Sequence, residues 1–148
     1  MKKDGVILIA EDDDTHFELI KNSLQRTGIL NDMVRFENGQ QLLDFLFETS
    51  DGPKSLPNKE YLLILDLKLP GVDGIQILEK INQDTDLKKI PVIILTAVDE
   101  PNTIKLCHKL GCSVYIVKPV GHESFVDAVK KIGLFLSVVE TPMISKTE

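Results

Sequence analysis

The chain has little of three features that would each indicate a particular class of protein. Its 148 residues include only two cysteines, Cys107 and Cys112, which fit neither a disulfide framework nor a CxxC metal-binding pair. Its longest apolar runs fall far short of the roughly 18 residues that a membrane-spanning helix needs. Its net charge of -6 argues against the basic surface that nucleic-acid binding requires. We therefore expect a cytoplasmic protein with neither a membrane nor a nucleic-acid partner.

Length and composition fit one compact domain. A content of 43% hydrophobic and 27% charged residues is typical of a globular chain of this size. We expect the domain to cover residues 1–140, with a disordered tail over residues 141–148 and no effector domain. The one long polar loop is expected over residues 49–59.

Four short runs rich in Val, Ile and Leu predict strands buried on both faces, as in a parallel sheet. These runs are Val6–Ala10, Tyr61–Leu65, 91–95 and Val114–Val117, and residues 33–36 form a weaker strand. Helical patterns follow the strands at residues 14–27, after Asn38, after the turn at 70–74, at 102–110 and at 123–139. This alternation predicts an α/β, flavodoxin-like (βα)5 fold, doubly wound, with a five-stranded parallel sheet of order 2-1-3-4-5.

Four of the predicted strands lead into polar side chains. Glu11 and Asp12 follow the first strand, Asp66 the third, Thr96 the fourth and Lys118 the fifth. Taken singly, these residues also fit a helix N-terminal charge cluster, a turn residue, a half-buried strand residue and an exposed lysine. In the expected sheet order, however, the first and third strands end beside the switch point where ligands bind. The coincidence at four strand ends therefore favours a functional site.

The residue types at these strand ends suit phosphoryl chemistry. Three carboxylates in one crevice repel one another by on the order of 4 kcal/mol per pair at ~4 Å and an effective dielectric of ~20. Mg²⁺ would relieve this repulsion, bound by Asp12 and Asp66 with Glu11 acting through a water. With the ammonium of Lys118 and the hydroxyl of Thr96, the set favours phosphoryl transfer onto the Asp66 carboxylate.

At these motifs the chain resembles the receiver domain of two-component response regulators, over residues 6–139. The matching segments are IAEDD at 9–13, LILDLKLPGVDG at 63–74, ILTA at 94–97 and YIVKP at 115–119. The resemblance implies that Asp66 is the phosphoacceptor. The implied donor is a phosphohistidine on a sensor histidine kinase or a phosphotransfer protein.

The resemblance also implies roles for the residues around Asp66. Mg²⁺ would be held by Glu11, Asp12, Asp66 and the backbone carbonyl of Lys68. Phosphate contacts and the conformational switch would come from Thr96, Ala97, Tyr115 and Lys118. The bond between Lys118 and Pro119 would be cis. Lys68 departs from the smaller polar residue often found at its position, so its effect on the site stays open.

Finer features indicate partners. The Glu11-Asp12 pair, the long loop and residues 82–91 resemble single-domain regulators of bacterial phytochrome kinases, so a phytochrome-like kinase is expected. Output is expected through protein contact, including a homodimer through the last helix. There Phe125, Val129, Ile132, Leu136 and Val139 form a stripe for the sheet, while a second apolar face is formed by Val126, Leu134 and Val138. The alternative is that the 49–59 loop or the tail covers this second face.

Three other functions remain as alternatives. A Mg²⁺-dependent phosphatase with an aspartate nucleophile normally needs a second acid where this chain has Lys68. A flavin electron carrier shares the fold, but residues 11–14 would repel its phosphate. A degenerate receiver, acting as a phosphorylation-independent interaction module, is the main alternative, although every group that phosphorylation requires is present. The scattered histidines are interpreted as surface residues: His16, His108 and His122.

Overall fold

A computed structural model describes residues 1–47 and 59–138 of the chain. The strands are β1 (Val6–Ala10), β2 (Asp32–Phe36), β3 (Tyr61–Leu65), β4 (Val92–Thr96) and β5 (Val114–Val117). The helices are α1 (Asp14–Arg26), α2 (Gly39–Phe47), α3 (Gly74–Gln83), α4 (Pro101–Lys109) and α5 (His122–Val138), with a 3₁₀ turn at Leu87–Lys89. The predicted 49–59 loop, except for its last residue, and the predicted tail lie outside the described residues.

The five strands form one parallel sheet in the order β2-β1-β3-β4-β5. The predicted flavodoxin-like fold is therefore confirmed. Val6 of β1 pairs with Asp32 of β2 on one side and with Tyr61 of β3 on the other. The strand order reverses at β1, so the carboxyl ends of β1 and β3 flank the crevice where ligands bind in such sheets.

β1 and β3 are hydrophobic at every position, and β4 up to Thr96 at its carboxyl end, because helices cover both faces of the sheet. Successive side chains of a strand point to opposite faces. Ile7 and Ile9 of β1 accordingly pack in the cluster that includes α1 and α5. Leu8 and Ala10 pack in the cluster that includes α2, α3 and Cys107 of α4. The sheet therefore has a hydrophobic core on each side, and packing against both cores fixes the positions of the strand ends.

β5 differs from the predicted strand buried on both faces. All four of its residues are only partly buried, because β5 lies at the edge of the sheet and pairs only with β4. An edge strand lacks a neighbouring strand on its outer side, whatever its sequence. Hydrophobic composition alone does not distinguish such a strand from a central one.

Helix ends follow the polar residues that flank them. The Asp13 side chain caps α1 by accepting from the His16 N–H at 3.0 Å, and α1 is followed by Gly28, with φ +92°. Asn38 accepts from the Gln41 N–H at 2.9 Å at the start of α2, as its sequence position predicts. α1 and α2 therefore begin within a few residues of the carboxyl ends of β1 and β2.

The sheet-facing stripe of α5 is confirmed for its described members. Four of them are buried: Phe125, Val129, Ile132 and Leu136, whereas Val139 lies outside the described residues. On the other face Leu134 is 63% exposed and Val138 is 80% exposed, while Val126 is partly buried. None of the helices in the described part of the chain has the length and apolar character needed to cross a membrane.

Candidate functional site

Five side chains from four strand ends meet at the carboxyl edge of the sheet. Glu11 and Asp12 directly follow β1, Asp66 follows β3, Thr96 ends β4, and Lys118 follows β5. The Asp66 N–H donates to the Ala10 carbonyl at 3.1 Å, so the β1–β3 ladder continues into the site. The parallel topology thus brings together residues that are up to 107 positions apart in sequence.

The Asp66 carboxylate is buried and accepts hydrogen bonds at both oxygens. Its Oδ1 accepts from the Thr96 hydroxyl at 2.7 Å and from the Lys68 N–H at 3.1 Å. Its Oδ2 accepts from the Lys118 ammonium at 2.8 Å. Donors of three kinds therefore fix the orientation of one carboxylate, which is the arrangement that a positioned nucleophile needs.

Lys118 reaches three acceptors with its single ammonium group. Its Nζ donates to Glu11 Oε1 at 2.6 Å, to Asp66 Oδ2 at 2.8 Å and, at 3.0 Å, contacts His16 Nδ1. Burial lowers the pKa of Lys118, but the hydrogen bonds and charges of Asp66 and Glu11 outweigh it, so the pKa is raised. The group is therefore a fixed cation beside Asp66.

Three carboxylates lie close enough to share a cation. Oxygen atoms of Glu11, Asp12 and Asp66 all lie within 4.8 Å of one another. Glu11 and Asp66 are buried, whereas Asp12 is exposed, so the cluster opens to solvent on one side. Burial raises the pKa of Glu11, although Lys118 acts against this. Since Lys118 balances only one of the three charges, the donor set fits a divalent cation with oxygen ligands.

The backbone of Val98 connects Thr96 to Tyr115. Its N–H lies 3.4 Å from the Thr96 hydroxyl, and its carbonyl accepts from the Tyr115 hydroxyl at 2.6 Å. Burial raises the pKa of the Tyr115 phenol to about 12, with smaller contributions from nearby groups such as Cys107. The two residues predicted as a switch are thus linked through one residue of the β4–α4 loop.

The remaining predicted site residues have less direct placements. Ala97 follows Thr96 and is exposed, and Lys68 contacts Asp66 through its backbone N–H while its side chain is exposed. The role of the Lys68 carbonyl stays a prediction.

The predicted cis bond between Lys118 and Pro119 is wrong, because the structure has no cis peptide bond among the described residues. The trans form is favoured for most bonds preceding proline, and here it still lets the Lys118 side chain reach Asp66.

Sequence reasoning missed two residues at this site. The sequence predicts a surface position for His16, but its ring contacts Lys118 and stacks on Phe125, with a centroid distance of 5.2 Å. Because an ammonium group can only donate, His16 Nδ1 acts as the acceptor. Arg35, on β2, donates to the backbone of the loop that carries Glu11 and Asp12. A histidine in the first turn of α1 is the one signal in the sequence that could have indicated the first of these.

Comparison with known proteins identifies the family. Residues 7–130 match the model of the response regulator receiver domain. The chain therefore belongs to the response regulator receiver domain family, whose members are signalling modules.

Individual relatives resemble the chain over nearly its whole length. Response regulator Rcp1 of Synechocystis is 30% identical over 93% of this chain and 92% of its own. The solved Mn²⁺-bound form of Rcp1 has a TM-score of 0.84, with 29% identity over 93% of this chain and 99% of that chain.

Two further solved structures are similar. A receiver domain from Rhodospirillum rubrum has a TM-score of 0.89 and 35% identity over 95% of this chain and 99% of that chain. The phosphorylated cyanobacterial phytochrome response regulator RcpA has a TM-score of 0.85 and 28% identity, over 94% and 99%. The chain thus resembles the phytochrome-associated response regulators, as its motifs predict.

Proposed function

We propose that the chain accepts a phosphoryl group from a phosphohistidine onto the carboxylate of Asp66, in a reaction that depends on Mg²⁺. The observation that carries this proposal is the Asp66 carboxylate itself, which is held by Thr96 and Lys118 at the base of an acidic cluster. Membership of the receiver domain family supports it.

The transfer forms one bond to phosphorus and breaks another. An Asp66 carboxylate oxygen attacks phosphorus, and a P–O bond forms while the P–N bond of the phosphohistidine breaks. The bonding pair returns to the imidazole nitrogen of the donor, and the product on this chain is an acyl phosphate. The nucleophile is a carboxylate oxygen, which carries no proton that must leave during the attack.

The residues around Asp66 then stabilise the transferred group. The Lys118 ammonium and the Thr96 hydroxyl already donate to the carboxylate and would donate to phosphoryl oxygens, where charge resides during transfer. Mg²⁺ held by Asp12, Asp66 and the Lys68 carbonyl, with Glu11 nearby, would supply the additional positive charge that the cluster needs. Glu11 also orients Lys118 through the 2.6 Å hydrogen bond.

Phosphorylation is proposed to shift a conformational equilibrium through Thr96 and Tyr115. The Thr96 hydroxyl already donates to the Asp66 carboxylate, so its inward position does not require a phosphoryl group. A phosphoryl group would strengthen this contact and, through Val98, favour one position of the Tyr115 ring. A few kcal/mol of preference is enough to reverse an equilibrium that begins mostly on one side.

Partners follow from the same proposal. The phosphoryl donor would be a sensor histidine kinase or phosphotransfer protein, with a phytochrome-like kinase suggested by the similarity to RcpA. Output would proceed through protein contact, including a homodimer through α5, and the protein would act in the cytoplasm. The domain would occupy residues 1–140.

The test is phosphate uptake measured by intact mass. Phosphoramidate, whose P–N bond resembles that of phosphohistidine, is added with Mg²⁺ to the wild type and to Asp66→Asn. We expect the wild type to gain one phosphoryl group and the variant to gain none, because an amide cannot act as the nucleophile. Asp32→Asn, at the opposite end of the sheet, is the matched control and should behave as the wild type.

The same experiment separates the alternative function. Uptake by Asp66→Asn would refute the phosphoacceptor assignment, and unchanged uptake in the presence of EDTA would refute the need for Mg²⁺. A wild type that gains no phosphoryl group would instead favour the degenerate receiver. NMR spectra of the phosphorylated protein test the switch, and unmoved Tyr115 ring signals would contradict it.

A further inference from the structure

Arg35 links three segments at the edge of the acidic cluster. It lies near the end of β2, paired in register with Ile9 of β1, and its side chain points toward α1. Its guanidinium carbon lies 4.8 Å from the centroid of the Phe17 ring in α1. Its Nη2 also forms an ion pair with Asp14 Oδ1 at 2.8 Å.

The guanidinium group also binds the backbone of the β1–α1 loop. Nε donates to the carbonyl of Glu11 at 3.1 Å, and Nη2 donates to the carbonyl of Asp12 at 3.3 Å. The backbone ladder between β1 and β2 continues as far as the Glu11 N–H, which donates to the Phe36 carbonyl at 3.1 Å. Arg35 therefore holds the chain at the point where the β1–β2 ladder ends.

These contacts act on two of the residues that the proposed function assigns to the metal. Rotation of the peptides that carry these two carbonyls would move the carboxylates of Glu11 and Asp12 relative to Asp66. A planar guanidinium with donors in a fixed fork resists such rotation better than a flexible ammonium does. The ion pair with Asp14 is not the main contribution of Arg35, because Asp14 is 88% exposed and exposed ion pairs contribute little to stability.

A purely electrostatic effect of Arg35 would change the metal affinity in the opposite direction from a positioning effect. A positive charge beside three carboxylates repels a metal cation, so its removal would strengthen metal binding. A positioning effect instead weakens metal binding when the fork is lost, whether or not the charge remains. The two effects can therefore be separated by substitution.

We propose that Arg35 is a positioning residue that holds the Glu11–Asp12 backbone in the arrangement that binds the divalent cation. This inference rests on the metal site of the proposed function. Residues that orient metal ligands from outside the coordination sphere typically change metal affinity by 10–100-fold.

The test is Mn²⁺ binding, followed by the electron paramagnetic resonance signal of free Mn²⁺, in Arg35→Lys and Arg35→Gln. We expect both variants to bind Mn²⁺ on the order of tenfold more weakly than the wild type. Glu37→Gln is the matched control, because Glu37 pairs with the Nη1 atom of the same guanidinium at 3.5 Å, whereas the loop is held by Nε and Nη2. Its affinity should stay within about twofold of the wild type.

Thermal unfolding of the metal-free proteins excludes a merely structural role. Binding is measured well below the lowest Tm, so a variant that only lost stability would show a reduced Tm with unchanged Mn²⁺ affinity. That result, or tighter binding by Arg35→Gln, would overturn the inference. If Arg35→Gln does not fold, Arg35→Lys decides alone, since it keeps the charge and loses the fork. A wild type that binds no Mn²⁺ would overturn the proposed metal site itself, and the inference with it.

Discussion

The Lys118 ammonium lies between two buried carboxylates, and this arrangement is costly unless all three charges are kept. Desolvation of such ions costs several kcal/mol each, and the close Glu11 and Asp66 oxygens offset that cost. Loss of the ammonium alone would leave the two carboxylates facing each other. At the residue scale, the three charges therefore stabilise one another. A substitution that removes one of them raises the energetic cost of keeping the others buried.

Tyr115 offers a test of local burial through pH. Its phenol has a pKa raised to about 12 from an ordinary value of 10.0, mainly by burial. The folded state thus favours the neutral phenol, so its contribution to stability is fully present below about pH 10 and is lost as pH rises through about 12. We expect the wild type to lose stability relative to Tyr115→Phe as the pH rises over this range, by up to about 2 kcal/mol.

Urea unfolding at pH 8 and pH 11 measures that difference, with Tyr115→Phe as the reference that lacks the titrating group. Absorbance near 295 nm, taken as wild type minus variant, reports the phenol pKa directly. A phenol that titrates near pH 10, or a stability gap that stays constant, would contradict the prediction.

At the scale of elements, α1 and α5 approach each other closely on one face of the sheet. Gly133 of α5 faces Thr27, the C-cap of α1. A Cβ at Gly133 would clash with Thr27 Oγ1 and would lie 3.0 Å from the Thr27 Cβ. Thr27 cannot easily move away, because its hydroxyl donates to the Leu24 carbonyl at 2.7 Å. The glycine therefore sets the distance between the helices.

Gly133→Ala should destabilise the protein even though alanine is the better helix former. Overpacking costs typically 1–3 kcal/mol, whereas replacing a helical glycine by alanine gains about 0.5–1 kcal/mol. We expect a net loss of about 1 kcal/mol in the free energy of unfolding, measured by urea denaturation.

The second half of a double-mutant cycle provides the control. In a Thr27→Ala background, the hydroxyl and the methyl group that crowd the new Cβ are absent, so Gly133→Ala should cost less or become stabilising. An equal cost in both backgrounds would show that contact with Thr27 is not the cause.

At the scale of the whole molecule, the exposed apolar face of α5 is the surface that the proposed homodimer would bury. Leu134 and Val138 are 63% and 80% exposed, and Phe135 beside them is 44% exposed. The alternative cover for this face, residues 49–59 or the tail, lies outside the described residues apart from Lys59. Exposed apolar patches of this kind are typical of interaction surfaces.

Substituting both Leu134 and Val138 by Glu would place like charges at the centre of a two-fold contact. We expect the wild type to sediment as a concentration-dependent dimer and the double variant as a monomer, with association weakened by at least tenfold. Val120→Glu is the matched control, since Val120 is 99% exposed but precedes α5, at the opposite end of that helix from Leu134 and Val138. Wild-type protein that remains monomeric at high concentration, with and without a phosphoryl mimic, would end the dimer proposal.

Much of the fold was determined by the sequence itself. Short runs that are hydrophobic throughout, such as Tyr61–Leu65, predict strands of a covered sheet. Helix boundaries were predictable because Asn38 and Gly28 act locally. The identity of the strand-end residues, Asp66 above all, could also be read from sequence, because parallel topology forces strand ends to one edge.

Tertiary structure decided the features that depend on residues distant in sequence. β5 is half-buried because of its place at the sheet edge, and the Lys118–Pro119 bond is trans although the motif suggested cis. The contacts of His16 with Lys118 and of Arg35 with the β1–α1 loop depend on how α1 and β2 pack beside β1, which the residues next to them in sequence do not specify. Composition sets what must be buried, whereas only packing sets which polar groups meet.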